Sequence, residues 1–210
     1  MANLEIKTYM VSAFSTNCYF VINQDSKETL VIDPGDQAQM LSQRIRDQKL
    51  IPVGVLLTHG HLDHAGAARE LAKEFGIEIY AHEAEKKTLA DPRMNLTASF
   101  GASESYDADV FLKDGEELQL LDSRICVLFT PGHTPGGCCY YFPEHHLLFS
   151  GDTLFCESVG RTDFPGGSSS VLVRSIQEKL LCLPDDTRVY PGHMGETMMK
   201  TEKMYNPFLF

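Results

Sequence analysis

Val53-Gly54-Val55-Leu56-Leu57-Thr58-His59-Gly60-His61-Leu62-Asp63-His64-Ala65 decides how this sequence folds. An apolar run of strand length stops at three histidines and an aspartate, and a helical pattern follows at once, with Ala68, Leu71, Ala72 and Phe75 on one face. Gly76 ends that pattern, and Ile77-Glu78-Ile79-Tyr80 reads as the next strand. A buried strand feeding a helix through a polar turn is the unit of an α/β protein. Upstream, Asn17 to Ile22 and Thr29 to Ile32 read as an antiparallel hairpin. Asp33-Pro34-Gly35 breaks the second strand, and Asp36 to Lys49 has helical character.

Downstream the chain turns mainly β. Val110 to Leu112, Glu117 to Leu121, Ile125 to Phe129, Cys138 to Phe142 and Leu147 to Ser150 read as five strands. Ser168 to Leu183 reads as a helix with Val173, Ile176, Leu180 and Leu183 on one face; a strand at Arg188 to Tyr190 and a short helix from about Gly195 follow. Between the halves, Asp91 to Asp109 has no sustained period and is expected to be a surface loop or cleft wall. No low-complexity linker or short repeat divides the 210 residues, so one domain spanning 1–210 is expected.

Hydrophobic residues make up 43% and charged residues 22%, and no apolar run approaches the roughly 18 residues of a membrane span. With no secretory signal at the N-terminus, a cytoplasmic location is expected. The six cysteines are scattered and read as reduced thiols, with Cys126 placed in an apolar core run. A net charge of −11 argues against nucleic acid as a partner.

Within the strand-to-helix turn, His59, His61, Asp63 and His64 crowd one rigid piece of backbone, and imidazole nitrogen with carboxylate oxygen suits borderline divalent cations. Three more such residues each follow a glycine just past an apolar strand: His133, Asp152 and His193. Glycine lets a strand end turn sharply and bring one side chain into a cleft. His82 reads as a helix cap or surface residue, and His145 and His146 as part of a hairpin turn.

His59-x-His61-x-Asp63-His64 with His133, Asp152 and His193 resembles the metallo-β-lactamase superfamily over nearly the whole chain. Gly151-Asp152-Thr153-Leu154-Phe155, Gly160-Arg161-Thr162-Asp163-Phe164 and Asn206-Pro207-Phe208-Leu209 resemble its glyoxalase II-like hydrolases. The resemblance implies an αβ/βα four-layer sandwich. It assigns His59, His61 and His133 to one metal, Asp63, His64 and His193 to a second, and Asp152 as the bridge. Two divalent ions are implied, zinc ahead of iron or manganese, and Asp33 would support the site without ligating. The implied reaction is hydrolysis of a small-molecule thioester such as an S-acyl glutathione by hydroxide held between the metals, with Asp63 and Asp152 as its catalytic carboxylates.

Cations lower the pKa of bound water and polarise a carbonyl, and the sequence offers no Gly-x-Ser-x-Gly elbow. Arg161 matches the basic residue by which such enzymes grip glutathione; its rival reading is an ion pair with Asp163, which stands where the family often has tyrosine. The family's C-terminal helical domain has no counterpart before Phe210. Two alternatives come with the resemblance: an iron-dependent persulfide dioxygenase, whose branch shares the Gly160 to Phe164 motif, and a phosphodiesterase or nuclease.

Overall fold

In the computed structural model, which describes residues 2–210, two six-stranded sheets lie face to face with helices on both outer sides. The first is built from β1 (Leu4–Val11), β2 (Thr16–Asn23), β3 (Glu28–Ile32), β4 (Ile51–Leu56), β5 (Ile79–His82) and β6 (Val110–Leu112), in that order. β1 to β3 are antiparallel neighbours and β3 to β6 are parallel. The parallel pairings require crossovers, supplied by α1 (Ala38–Asp47), by α2 (Leu62–Ala65) with α3 (Ala68–Phe75), and by α4 (Lys86–Ala90) with the segment after it.

The second sheet holds β7 (Glu117–Leu120), β8 (Ser123–Phe129), β9 (Cys138–Phe142), β10 (Leu147–Gly151), β13 (Arg188–Pro191) and β14 (Thr197–Met198). Between β10 and β13 lie the small hairpin β11 (Leu154–Phe155) and β12 (Ser158–Val159), then α5 (Ser169–Ser175), continued by a π-helical turn at Ile176–Leu180. α6 (Met199–Tyr205) closes the chain.

Strand alternation sorts the core into three layers. On β2, Tyr19 and Val21 face the other sheet, while Cys18, Phe20 and Ile22 face α1 and α3. On β9, Cys138, Tyr140 and Phe142 point inward, and Cys139 and Tyr141 pack toward α5. Both sheets are thus covered on both faces, as the four-layer arrangement requires.

The expected elements appear with shifted ends. The helix read from Ala65 is interrupted between α2 and α3, because the Ala67 N–H donates to the Pro34 carbonyl at 2.9 Å and not within the helix, with Gly66 packed against the Gly35 carbonyl. The helix read over Ser168 to Leu183 is α-helical only to Ser175. The last helix starts at Met199, after the edge strand β14. β1 had no clear reading because it is an edge strand with half-exposed alternation. Cys126 lies at the margin of the core: on the outer face of β8 it is partly buried and packs against the layer beneath α5, while Cys18, Cys138 and Cys139 are buried. All six thiols are free.

Candidate metal centre

Every expected ligand follows the same end of a strand, Asp63 and His64 in α2 and the others on loops. β4 delivers His59, His61, Asp63 and His64; β8 delivers His133; β10 and β13 deliver Asp152 and His193. Because β10 and β13 are parallel and Gly151 pairs with Pro191, Asp152 and His193 emerge side by side. The sheets are tied together at this end, where the Cys138 N–H donates to the Thr58 carbonyl at 2.9 Å.

Ligand-type atoms of His59, His61 and His133 lie within 4.8 Å of one another, and so do those of Asp63, His64 and His193. Asp152 stands between the two groups, its carboxylate 3.4 Å from His64 Nε2, 3.5 Å from His133 Nε2 and 3.5 Å from His193 Nε2. All seven residues are therefore brought together.

Neighbouring groups fix which ring nitrogen His59, His64 and His133 turn inward. The Thr58 hydroxyl donates to Asp33 Oδ2 at 2.7 Å, so it accepts from His59 Nδ1 at 3.1 Å and leaves His59 Nε2 bare. His64 Nδ1 donates to Asp33 Oδ2 at 3.0 Å, and His133 Nδ1 to the Arg161 carbonyl at 2.7 Å. Asp33 also accepts the Thr58 N–H at 2.8 Å; it supports the site from behind and touches neither group of ligand atoms. Such partners orient a metal's ligands and raise their basicity.

The site's charge follows from burial and crowding. Burial, then the neighbouring rings, holds His59 and His61 well below the ordinary histidine value. Burial acts the same way on His64, but the Asp63, Asp152 and Asp33 carboxylates overcome it and push His64 up to about 10. Burial would raise Asp63; His64, His193 and the Thr16 hydroxyl, 2.8 Å away, instead hold it well below the usual carboxylate range.

The donor set fits cations. Nε2 of His59 and His64 and Oδ1 of Asp152 are buried with no hydrogen-bond partner, and His61 turns its Nδ1 to His133 Nε2 at 3.0 Å. Leaving one buried polar atom unpaired costs roughly 1–3 kcal/mol, so three in one cluster are best explained as ligand atoms sharing divalent ions.

Glycines make room for this packing. A side chain at Gly192 would place its Cβ 2.2 Å from Asp152 Oδ1 and 2.6 Å from His64 Cε1. Gly151 has φ +49°, and its Cβ would fall 2.2 Å from Thr58 Oγ1.

Some supporting residues carried no sequence signal. Glu85 is wholly buried and accepts the Gly60 N–H at 2.9 Å and the Thr134 hydroxyl at 3.0 Å, so one carboxylate spans the loops carrying His59, His61 and His133. Burial, only partly offset by these donors, pushes it up to about 7. Asn17 Nδ2 donates to the carbonyls of Pro191 and Met194, steadying the His193 loop.

The remaining candidates fall as follows. Arg161 lines the cleft beside the cluster but forms a two-bond pair with Asp163 at 2.7 and 2.6 Å, the rival geometry, and lies 4.1 Å above the Phe164 ring. His82 caps a short helical turn and stacks on Phe129; His145 and His146 occupy the β9–β10 turn. The segment from Asp91 to Asp109 is a cleft wall, contributing Leu96 and Phe100.

Known proteins share this architecture. The family model described as the metallo-beta-lactamase superfamily matches residues 11–193. The chain is 40% identical to the probable metallo-hydrolase YqgX of Bacillus subtilis, over 95% of this chain and 94% of that one. It is also 40% identical to the hydroxyacylglutathione hydrolase GloC of Haemophilus influenzae, over 98% of both chains. Among solved structures, the BLEG-1 B3 metallo-beta-lactamase superposes with a TM-score of 0.92 at 38% identity, covering 98% of this chain and 99% of that one. TTHA1623 in a di-iron-bound form gives 0.85 at 35%, covering 97% and 100%.

Proposed function

The chain belongs to the metallo-β-lactamase superfamily, whose members bind divalent metals, often two, and from that premise we propose that it is a dinuclear hydrolase of thioesters, S-acyl glutathione first among them. The observation that carries this reading is the pair of ligand triads with Asp152 between them. His59, His61 and His133 would hold one cation, Asp63, His64 and His193 the other, and Asp152 both. When bound, the two cations supply hydroxide near neutral pH and polarise the substrate carbonyl.

The protein's own part is to hold and orient. Asp33, Thr58 and the Arg161 carbonyl keep the imidazoles turned inward, so the ligand atoms need little rearrangement on loading. Among the described residues, Asp63 and Asp152 are the only carboxyl groups lining the cleft, and both are assigned as ligands. No free carboxylic acid therefore stands ready to protonate a leaving group. A thioester suits such a site, because its thiolate departs with little help, the parent thiol having a pKa of roughly 8.5.

GloC, at 40% identity, supports glutathione as the thiol carrier. Zinc is our first choice of metal, and the nitrogen and oxygen donor set also accepts iron or manganese. Ligand sets for two cations favour hydrolysis over the persulfide dioxygenase reading, which needs a single iron. The acidic balance of the chain speaks against a nuclease. The test is metal analysis of the purified protein followed by assays with S-acyl glutathiones. About two ions per chain with metal-dependent release of thiol is expected; full loading with no hydrolysis of any thioester would refute the reading.

A further inference from the structure

The wall of the cleft carries information that the ligand cluster does not. A cavity of about 450 Å³ opens beside Asp63 and Asp152, and much of its lining is apolar. Phe14 comes from the β1–β2 turn, Leu96 and Phe100 from the segment after α4, Phe155 from β11 and Met194 from the loop after β13. Four separate segments thus place large apolar side chains around one opening.

Two features of that wall run against the ordinary preferences of the chain. Leu96 and Met194 both have positive φ, +72° and +69°, a region that bulky residues avoid. Leu96 is held there by its neighbours: Asn95 is wholly buried, its amide donating to the carbonyls of Leu89 and Glu104 while its Oδ1 accepts the N–H and hydroxyl of Thr97. Strained backbone that aims an apolar side chain at a cleft is characteristic of functional walls. In addition, Phe14 and Phe100 meet edge to face at 5.0 Å while remaining 41% and 59% exposed, and Met194 is 59% exposed. Large apolar groups left open around a cavity mark a binding surface for apolar matter.

The charges do not compete with this. Among the described residues, Arg161 is the only lysine or arginine lining the cavity, and its Nε and Nη2 are taken by Asp163. One partly engaged guanidinium stands against a lining that is mostly apolar.

Building on the thioesterase reading, we infer that the substrate carries a bulky apolar group, an aryl or a medium-length alkyl chain, seated against Phe14, Leu96, Phe100, Phe155 and Met194. The apolar group can sit on the acyl side of the thioester or on the thiol side. In either case the carbonyl carbon gains an oxygen from water as the C–S bond breaks; one proton of that water goes to the thiolate and the other to solvent, giving a carboxylate and a thiol with no oxidant or reductant consumed.

The test uses the metal-loaded protein with two substrate series. In one, glutathione carries acetyl, butyryl, hexanoyl and benzoyl groups; in the other, the acetyl thioesters of ethanethiol, butanethiol and hexanethiol vary the thiol. In parallel, calorimetry compares binding of the inert thioethers S-hexylglutathione and S-methylglutathione. Burial of successive methylenes should raise kcat/KM by at least about tenfold from the smallest to the largest member of one series, and the series that responds identifies the side. S-hexylglutathione should bind at least about tenfold more tightly than S-methylglutathione. Phe14→Ala with Phe100→Ala, both at exposed positions and so compatible with folding, should flatten the dependence.

Hydrolysis that is equally fast for all members of both series would overturn this inference and leave the thioesterase reading standing. Preferential binding of the hexyl thioether with no hydrolysis would keep the apolar seat and overturn the thioesterase reading. Neither hydrolysis nor a hexyl preference would overturn both.

Discussion

Replacing Glu85 tests whether one buried carboxylate holds the two ligand loops together. The side chain is wholly buried, its Oε1 accepting the Gly60 N–H and its Oε2 the Thr134 hydroxyl, and the Gly136 N–H also bonds to it. In Glu85→Ala two backbone N–H groups lose their acceptor, at roughly 1–3 kcal/mol each. Against this stands the cost of burying the charge. Its carboxyl is raised from 4.5 in the unfolded chain to about 7 in the fold. The stability it contributes is therefore complete below about pH 4.5 and is lost as pH rises through 7, a fall of about 3 kcal/mol. The alanine variant lacks this slope. Urea unfolding of chelator-treated protein should show the variant less stable by roughly 3–5 kcal/mol near pH 4.5, with the gap narrowing by about 3 kcal/mol at pH 8.5. A gap that is the same at both pH values would refute the assignment of the titrating carboxyl to Glu85, and no gap at either would refute its bracing role. Metal affinity should also fall, by roughly 10–100-fold, because the loops bearing His59, His61 and His133 lose their shared anchor.

His64 is pushed up to about 10 by the carboxylates around it, so it carries a proton at pH 7 until a cation displaces it; calorimetric titration with zinc in buffers of different ionisation enthalpy should report release of about one proton or more per chain, and none would contradict the charge state. Gly192→Ala should keep the circular dichroism of the parent but bind fewer than about two ions, because the new Cβ would strike Asp152 Oδ1 and His64 Cε1; normal metal content would show that the loop can yield. Asp33 has φ +52°, which asparagine tolerates better than alanine, and it accepts three hydrogen bonds. Asp33→Asn should therefore cost roughly 1–2 kcal/mol and Asp33→Ala more than about 3 kcal/mol in thermal or urea unfolding; equal losses would contradict the hydrogen-bond accounting.

The order of strands and helices, and the residues that crowd the metal centre, could be read from the chain because each is locally encoded. A strand such as Val53 to Leu57 shows its apolar run, the helix after it shows its period, and the ligands cluster at strand ends beside glycines. Where local pattern was overruled, tertiary contacts did it: β1 is half-exposed at a sheet edge, and the helix begun at Leu62 breaks where the Ala67 N–H turns to the Pro34 carbonyl. Arg161 could be named from its motif, but only the fold shows its fork closed on Asp163. Glu85 carried no sequence signal of its burial between the loops of His59, His61 and His133, and of the two readings open for Asp91 to Asp109, surface loop or cleft wall, the fold makes Leu96 and Phe100 wall. Sequence by itself determined which histidines and aspartates gather at the strand ends and the layered α/β order, since these depend on side-chain chemistry and on spacing along the chain. The supporting carboxylate and the apolar seat were decided only by tertiary structure, because burial and contact there depend on which distant segments the two sheets bring to one edge.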